Sequence, residues 1–278
     1  MIPDWNTNSV YFSQLLQEGY PYEWQNMLQA MTDNGINHDI IKSTNDIWCR
    51  DYMPIQTTVT ECISFRYSPS YLNSVKYRHL KTDLKNITLP SSLNTTYSDI
   101  NLDGGNVVRS SNTVIITDRV FEENNQKRSS ILDKLEQLLQ CKVIIIPSDP
   151  EDMTGHSDGI VRFMADDKIL VNQLSFYPKS WRNKLANALK SFELIELPIS
   201  LKLNKIKDSA NGVYVNFLQV GNVVLFPIFQ ISSDDIALET MIRSFPKLTI
   251  IPIDVRSIGN EGGLLNCVSW NLKIESSL

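Results

Sequence analysis

Histidine is scarce in this chain: its 278 residues include three, at His38, His79 and His156. Cysteine is nearly as rare. The four residues Cys49, Cys62, Cys141 and Cys267 are widely spaced and form no CxxC pair, which argues against a disulfide framework or a zinc site and fits a reducing cytoplasm. No apolar run approaches the roughly 18 residues of a membrane span, and Met1 to Asn8 lacks the basic-then-apolar order of a secretory leader. Basic charge is not in excess: 26 Lys and Arg stand against 31 Asp and Glu, a formal net charge of -5. The electrostatic footprint of a nucleic-acid binder is therefore missing. These absences leave neither membrane nor nucleic acid as a partner, while a mildly acidic surface suits a small cationic ligand. Low-complexity tracts and linkers are also missing. With 42% hydrophobic and 21% charged residues the chain has apolar mass for a sizeable core, and 1–278 reads as a single domain, with self-association left open.

What the chain does have is a repeated unit: polar opening, short strand, tight turn, second strand, helix, apolar strand. In the clearest copy Asp103-Gly104-Gly105-Asn106 opens Val107-Val108, a turn follows at Ser110 to Asn112, and Val114 to Thr117 returns. Ile131, Leu135, Leu138 and Leu139 then share one helical face, and Val143 to Ile146 is the last strand. A second copy opens at Gly155-His156-Ser157-Asp158 and runs through Ile160 to Phe163 and Ile169 to Val171. Its helix carries Trp181, Leu185 and Leu189, and Leu194 to Leu197 is its strand. A third opens at Asn211-Gly212, with strands Val213 to Leu218 and Val223 to Phe226. Ser232 or Ser233 caps its helix over Asp234 and Asp235, and Leu248 to Ile253 ends it. A fourth opens at Glu261-Gly262-Gly263 and carries Leu264 to Trp270; its helix comes from the N-terminal stripe Trp24, Met27, Leu28, Met31, with Ile36 to Ile41 as strand. The fifth opens at Thr44 to Asp51 and predicts a helix over Tyr71 to Leu84 and a strand over Thr95 to Ile100. About five such ββαβ units, closed by pairing the two ends of the chain, describe an α/β fold of propeller-like form. All the polar openings then lie at one end, near the axis.

That geometry would gather Asp51, Asp103, His156, Asp158 and Cys267. His156 and Asp158 stand two apart, so an extended backbone would send both side chains to one face. Two facing carboxylates, Asp51 and Asp158, are what a planar guanidinium needs in order to be buried. The central carbon of such a cation is a poor electrophile and calls for a strong nucleophile, which a thiolate at Cys267 supplies once a nearby cation favours ionisation. His156 would protonate departing ammonia and then deprotonate water, held in orientation by Asp103. Neither metal nor organic cofactor enters this scheme. Each residue alone has a plainer reading. Cys267 beside Leu264, Leu265 and Val268 reads as a buried structural cysteine, Asp103 as a turn aspartate, and Asp51 beside Arg50 as a local ion pair. His156 and Asp158 read as an exposed turn, and Trp48 as core. His38, His79, Cys62 and Cys141 lie at no repeat opening.

Four motifs occur together: Trp48-Cys49-Arg50-Asp51-Tyr52-Met53-Pro54, Asp103-Gly104-Gly105-Asn106, Gly155-His156-Ser157-Asp158 with Arg162-Phe163, and Gly262-Gly263-Leu264-Leu265-Asn266-Cys267. In that order they resemble the agmatine deiminase and bacterial peptidyl-arginine deiminase family of guanidine-modifying enzymes, from about Pro3 to Asn271. The segment Asn211 to Phe217 matches the family's fourth unit. The resemblance implies a five-bladed pseudo-symmetric α/β propeller, the pentein fold. It also implies hydrolytic deimination through a Cys-linked thiouronium, with agmatine, a precursor of putrescine, as first substrate. Cys267 would be the nucleophile, His156 the general acid and base, Asp51 and Asp158 the guanidinium clamps, and Asp103 the support of the histidine. Trp48 and Asn211 would join Asp51 and Asp158 in binding substrate. Peptidyl-arginine, free arginine and methylated arginine are alternative substrates, amidino transfer an alternative reaction, and a non-catalytic binding module an alternative class. The sequence departs from the family at Asn266, where His is usual, and at Asp103, where agmatine deiminases often carry Glu. It is also shorter, so the loops over the substrate are expected to be trimmed. A substrate carboxylate would need a cation at the pocket mouth; Arg50, Arg109, Lys205, Lys207 and Arg256 are the candidates, with the loop Ser200 to Ala210 expected to decide the substrate's tail.

Overall fold

The computed structural model describes residues 1–200 and 209–275. Strand β1 (Ser9–Ser13) runs through helices α1 (Gln14–Gly19) and α2 (Pro21–Asp33) to β2 (Asn37–Ile41). The one-turn helix α3 (Cys49–Tyr52) opens β3 (Ile55–Gln56), β4 (Glu61–Arg66) and β5 (Asn94–Asn101). Next come β6 (Val108–Arg109), β7 (Thr113–Thr117), α4 (Arg119–Glu122), α5 (Arg128–Leu139) and β8 (Lys142–Ile146). The order repeats as β9 (Val161–Ala165), β10 (Lys168–Asn172), α6 (Lys179–Ala188) and β11 (Glu193–Leu197). It repeats again as β12 (Leu218–Val220), β13 (Val223–Ile228), α7 (Ser233–Ser244) and β14 (Thr249–Asp254), before α8 (Arg256–Gly259) and β15 (Ser269–Leu272).

Among the described residues these strands form five three-stranded sheets. In four of them an antiparallel hairpin is followed by a parallel partner. The remaining sheet joins the ends of the chain: β15 pairs antiparallel with β1, Ser9 opposite Leu272, and β1 pairs parallel with β2. The first strands β6, β12 and β15 are buried along their length, while β2, β11 and β14 are partly or fully exposed at most of their residues. Helices form where apolar residues recur at helical spacing. Trp24, Met27 and Met31 of α2, with Pro21 at its first position, and Ile131, Leu135 and Leu139 of α5 are all buried. Burying each side chain of this size stabilises by about 1.5–3 kcal/mol. α2 packs on β14 as well as β2, and α6, which leads into β11, packs on β8, so these two helices bridge neighbouring sheets.

Four expectations need correction. Tyr71 to Leu84 is not a helix but 3-10 turns at Ser70–Leu72, Arg78–Leu80 and Leu84–Asn86. Its polar residues bond locally or across to the next turn, Asp83 accepting from Lys85 N–H and Thr82 from Asn45 N–H, and Val75 is 78% exposed. The strand expected from Val213 begins only at Leu218. Neither Ser232 nor Ser233 caps α7. Asp234 instead accepts the N–H groups of Phe229 and Ile231, with the Tyr214 hydroxyl as a third donor. Finally, His156 and Asp158 do not share a strand: His156 is extended, but Ser157–Gly159 is a 3-10 turn.

A buried polar knot joins the buried first strands. Asp4 pairs with Arg109 at 3.2 Å and Arg162 at 2.5 Å and accepts from Asn271 Nδ2 at 2.9 Å. Asn271 Oδ1 accepts in turn from Arg50 and Arg109. Burial raises the Asp4 pKa, but Arg162, Arg109 and Arg50 outweigh it and hold it at about 2. The knot anchors two of the polar openings, because Arg50 precedes Asp51 and Arg162 lies four residues after Asp158.

Candidate active site

The turns that precede the first strands converge on one cleft of about 580 Å³. α3 brings Trp48 and Asp51, the turn before β9 brings His156 and Asp158, and the turn before β15 brings Cys267. Asp103, ahead of β6, lies behind the imidazole. The five residues expected to meet do so. His156 Nε2 is 3.0 Å from Asp103 Oδ2, and Nδ1 is 3.6 Å from Asp51 Oδ1. Cys267 Sγ lies 3.8 Å from Asp158 Oδ2. The imidazole is thus held between two carboxylates, and the sulfur faces a third.

Crowding in a dry place sets the electrostatics. Burial disfavours the imidazolium, but Asp51, Asp103 and Asp158 together push His156 up to about 10, so it is protonated at neutral pH. Burial raises Asp51 well above the usual carboxylate range; His156 opposes the rise while Asp103 and Asp158 add to it. Burial also raises Asp158, against His156, Asn266, Arg162 and Arg50. The Cys267 thiol is pushed up by burial and by the charges of Asp158 and Asp51. A cation lying between Asp51 and Asp158 would relieve both carboxylates and the sulfur at once.

Neighbours hold these groups in place. Gly105 N–H donates to Asp51 Oδ1 at 3.0 Å, and the Tyr71 hydroxyl donates to Asp103 Oδ2 at 2.8 Å. Arg50 Nε donates to Asn266 O, and Arg50 N–H to Cys267 O, tying the Trp48-to-Pro54 motif to the Cys267 turn. Asn266, where the family pattern has His, donates from Nδ2 to Asp158 Oδ2 at 2.6 Å and so orients that carboxylate. Trp48 forms a wall of the cleft against Gly263, where a Cβ would lie 2.4 Å from the indole.

Gly105 is required for a similar reason. A Cβ there would stand 2.5 Å from Asp51 Oδ1 and 2.6 Å from His156 Nδ1. Gly105→Ala is expected to lower kcat/KM by about 10²-fold, because displacement of a catalytic pair by even ~1 Å carries that penalty. Steady-state kinetics beside a thermal melt checks it: unchanged kinetics in the folded variant would mean that the pair tolerates the shift.

Asn211, expected to bind substrate, stands behind the cleft. Its Nδ2 donates to Arg256 O and Asn260 Oδ1, and it is not among the residues lining the cleft. The side chain that does face the sulfur is Asn216, to which the motifs assign no role. It stands two residues ahead of β12, as Cys267 stands two ahead of β15 and Asn106 two ahead of β6, and that shared offset is the signal that could have found it. Tyr71 was missed because it lies in the stretch read as a helix. Of the cations expected at the mouth, Arg50 and Arg109 are buried in the knot and Arg256 is paired with Asp254 at 2.8 Å. Lys205 and Lys207 lie outside the described residues. Among the described residues neither lysine nor arginine lines the cleft, whereas Asp46, Asp149, Glu151, Asp152 and Glu261 do. No group of His, Cys, Asp and Glu among the described residues is arranged to hold a metal ion, and no helix there is long and apolar enough to cross a membrane.

The sequence pattern of the Porphyromonas-type peptidyl-arginine deiminases matches residues 22–272. The fold is that of several solved mixed α/β structures. An agmatine deiminase from Campylobacter jejuni superposes with a TM-score of 0.78 at 18% identity, covering 98% of this chain and 95% of that one. An agmatine deiminase of Enterococcus faecalis gives 0.76 at 17% identity, again covering 98% and 95%. An amidinotransferase of saxitoxin biosynthesis from Microseira wollei gives 0.62 at 15% identity, covering 100% and 98%. A curated relative from Shewanella baltica, provisionally named an agmatine deiminase, is 38% identical over 61 residues. That stretch spans 22% of this chain and 16% of the relative.

Proposed function

This chain belongs to the Porphyromonas-type peptidyl-arginine deiminase family, and from that premise we propose that it hydrolyses the guanidino group of a small cationic substrate, agmatine first. The observation that carries the reading is the juxtaposition of Cys267, Asp158, Asp51 and His156 in a cleft lined by carboxylates. Asp51 and Asp158 grip the guanidinium from opposite sides, and its charge offsets theirs, so Cys267 gives its proton to solvent and the thiolate attacks the central carbon. The C–S bond forms; the C–N bond breaks as His156, protonated while empty, hands its proton to the departing ammonia. The product of that half-reaction is a thiouronium on Cys267. His156, now neutral, takes a proton from water; the water oxygen attacks the same carbon, the C–S bond breaks, and the remaining hydroxyl proton passes to Sγ, which departs as the thiol and leaves the ureido carbonyl. The sum is guanidine plus water giving a ureido product, N-carbamoylputrescine from agmatine, and ammonia.

The mouth selects the tail. Glu151, Asp152 and Glu261, the more exposed carboxylates of the lining, favour a substrate ending in an ammonium, and a free carboxylate meets like charge there. Ammonia release from agmatine, free arginine and an arginine-containing peptide tests this. Agmatine is expected to exceed arginine in kcat/KM by at least about tenfold, a discrimination of ~1.4 kcal/mol that one unfavourable charge contact supplies. An enzyme preferring arginine by the same factor would refute the assignment.

The same reading takes the five sheets as blades of a five-bladed α/β propeller, the pentein fold. Buried first strands, exposed last strands, helices over the seams and the β1–β15 closure all support it. A free thiol nucleophile and the absence of paired cysteines fit a cytoplasmic enzyme of putrescine formation.

A further inference from the structure

Asn216 is buried, 3% exposed, and no step of the deimination uses it. Its amide lies against the reacting sulfur, with Nδ2 at 3.2 Å and Oδ1 at 3.4 Å from Cys267 Sγ. Neighbours with no choice of role fix which way the amide points. The backbone N–H groups of Asn266 and Cys267 can only donate, and they meet Oδ1 at 3.2 and 3.4 Å. The Asp158 carbonyl can only accept, and it meets Nδ2 at 3.2 Å. The sulfur is therefore offered an acceptor and a donor by a single side chain. A thiol gives its hydrogen to Oδ1; a thiolate has none to give and accepts from Nδ2.

We infer that Asn216 is a further catalytic residue: its Nδ2 donates to the Cys267 thiolate, while its Oδ1 holds the two N–H groups on which the nucleophile is mounted. The inference rests on the proposal that Cys267 is the nucleophile of a deiminase. The charged groups around the sulfur are Asp158 at 3.8 Å and Asp51, both opposing ionisation, with Arg162 on the knot side, Arg50 beneath the turn and His156 across the cleft. A neutral donor is suited to this place. It stabilises negative charge on sulfur without competing with the substrate cation for the two carboxylates. The bond is also present before substrate arrives, so no reorganisation is needed when the proton leaves.

The test is the pH dependence of Cys267 alkylation by iodoacetamide in the whole chain without substrate, read on the Cys267 peptide by mass spectrometry. Asn216→Ala is expected to move the midpoint up by about one pH unit and to lower kcat about tenfold or more, with KM little changed. Asn216→Asp keeps an oxygen for the two N–H groups but replaces the donor with a further anion, so its midpoint is expected to rise beyond that of the alanine variant. A residue that only held the turn would leave the midpoint unmoved in the uncharged variants Asn216→Ala and Asn216→Leu. A wild-type midpoint in either folded uncharged variant overturns the inference; should the alanine chain not fold, the leucine variant, which keeps the volume, decides. If the wild-type chain releases no ammonia from any guanidine but the midpoints still move, the pairing of amide and sulfur stands and the deiminase reading falls.

Discussion

Cys267→Ala is expected to abolish ammonia release, a fall in kcat of at least ~10⁴-fold, while the melting temperature stays close to that of the wild type. In the proposed mechanism the sulfur is the atom that bonds to the substrate carbon, and nothing beside it can take its place. Asp158 is a far weaker nucleophile, and its Oδ2 is already held by Asn266. Little stability is at stake. Cys267 is partly exposed to the cleft, unlike the buried Cys49 and Cys62, and its removal relieves contact between a thiol and a carboxylate. Cys267→Ser should do nearly the same, because an alkoxide is far harder to form than a thiolate near neutral pH. Discontinuous ammonia assays and a thermal melt on the same preparations measure both quantities. Turnover surviving in the alanine variant would end the covalent mechanism.

Asp51→Asn and Asp158→Asn should each remove at least ~2 kcal/mol of transition-state binding, about a 30-fold loss in kcat/KM. Each would leave the guanidinium half paired in a dry cleft. Stability should move the other way. Both carboxyls have their pKa raised, by burial above all. A folded pKa above the unfolded value means that the ionised form is disfavoured in the fold, so at pH above the usual carboxylate range each acid works against stability. Replacing either with the isosteric amide is therefore expected to preserve or raise the melting temperature while activity falls. Of the two, Asp158→Asn should be the less stable, since its amide would meet the Nδ2 donor of Asn266. Near-normal kcat/KM in both variants would show that the cation is held elsewhere.

The parts of the fold legible in the sequence were those with a strong local pattern. The stripes of α2 and α5 and the apolar runs of β8 and β13 announce themselves because each buries one face or both. β1 was missed: Ser9-Val10-Tyr11-Phe12-Ser13 is short, and its hairpin partner lies at the far end of the chain, beyond any local window. Tyr71 to Leu84 misled because spaced apolar residues suggest a helix even where most of them stay outside the core. At the site, chemistry-bearing residues inside glycine-rich motifs were found by type. Asn216 was not, because Val213 to Phe217 is an apolar, strand-like run broken only by Asn216 while forming an irregular turn with one bridge, Ile199 to Val213. The polar opening was accordingly placed at Asn211. A neutral amide carries no charge signal to correct such a slip; only its position relative to β12 does.

The pairing of β15 with β1 also bears on when the protein becomes reactive. Ser9 and Leu272 face each other across nearly the whole chain, so their sheet closes a larger loop than any other and carries the largest closure entropy. Arg109 and Arg162 reach this closure through Asp4 and Asn271, and Arg50 holds the carbonyl groups of Asn266 and Cys267. The thiol is therefore mounted on the contact that loop entropy places last in the order of assembly. During synthesis His156 and the carboxylates emerge before Cys267, but the bonds from Asn266 to Asp158 and from Arg50 and Arg109 to Asn271 form only with the last strand, so the site and its thiol are completed together.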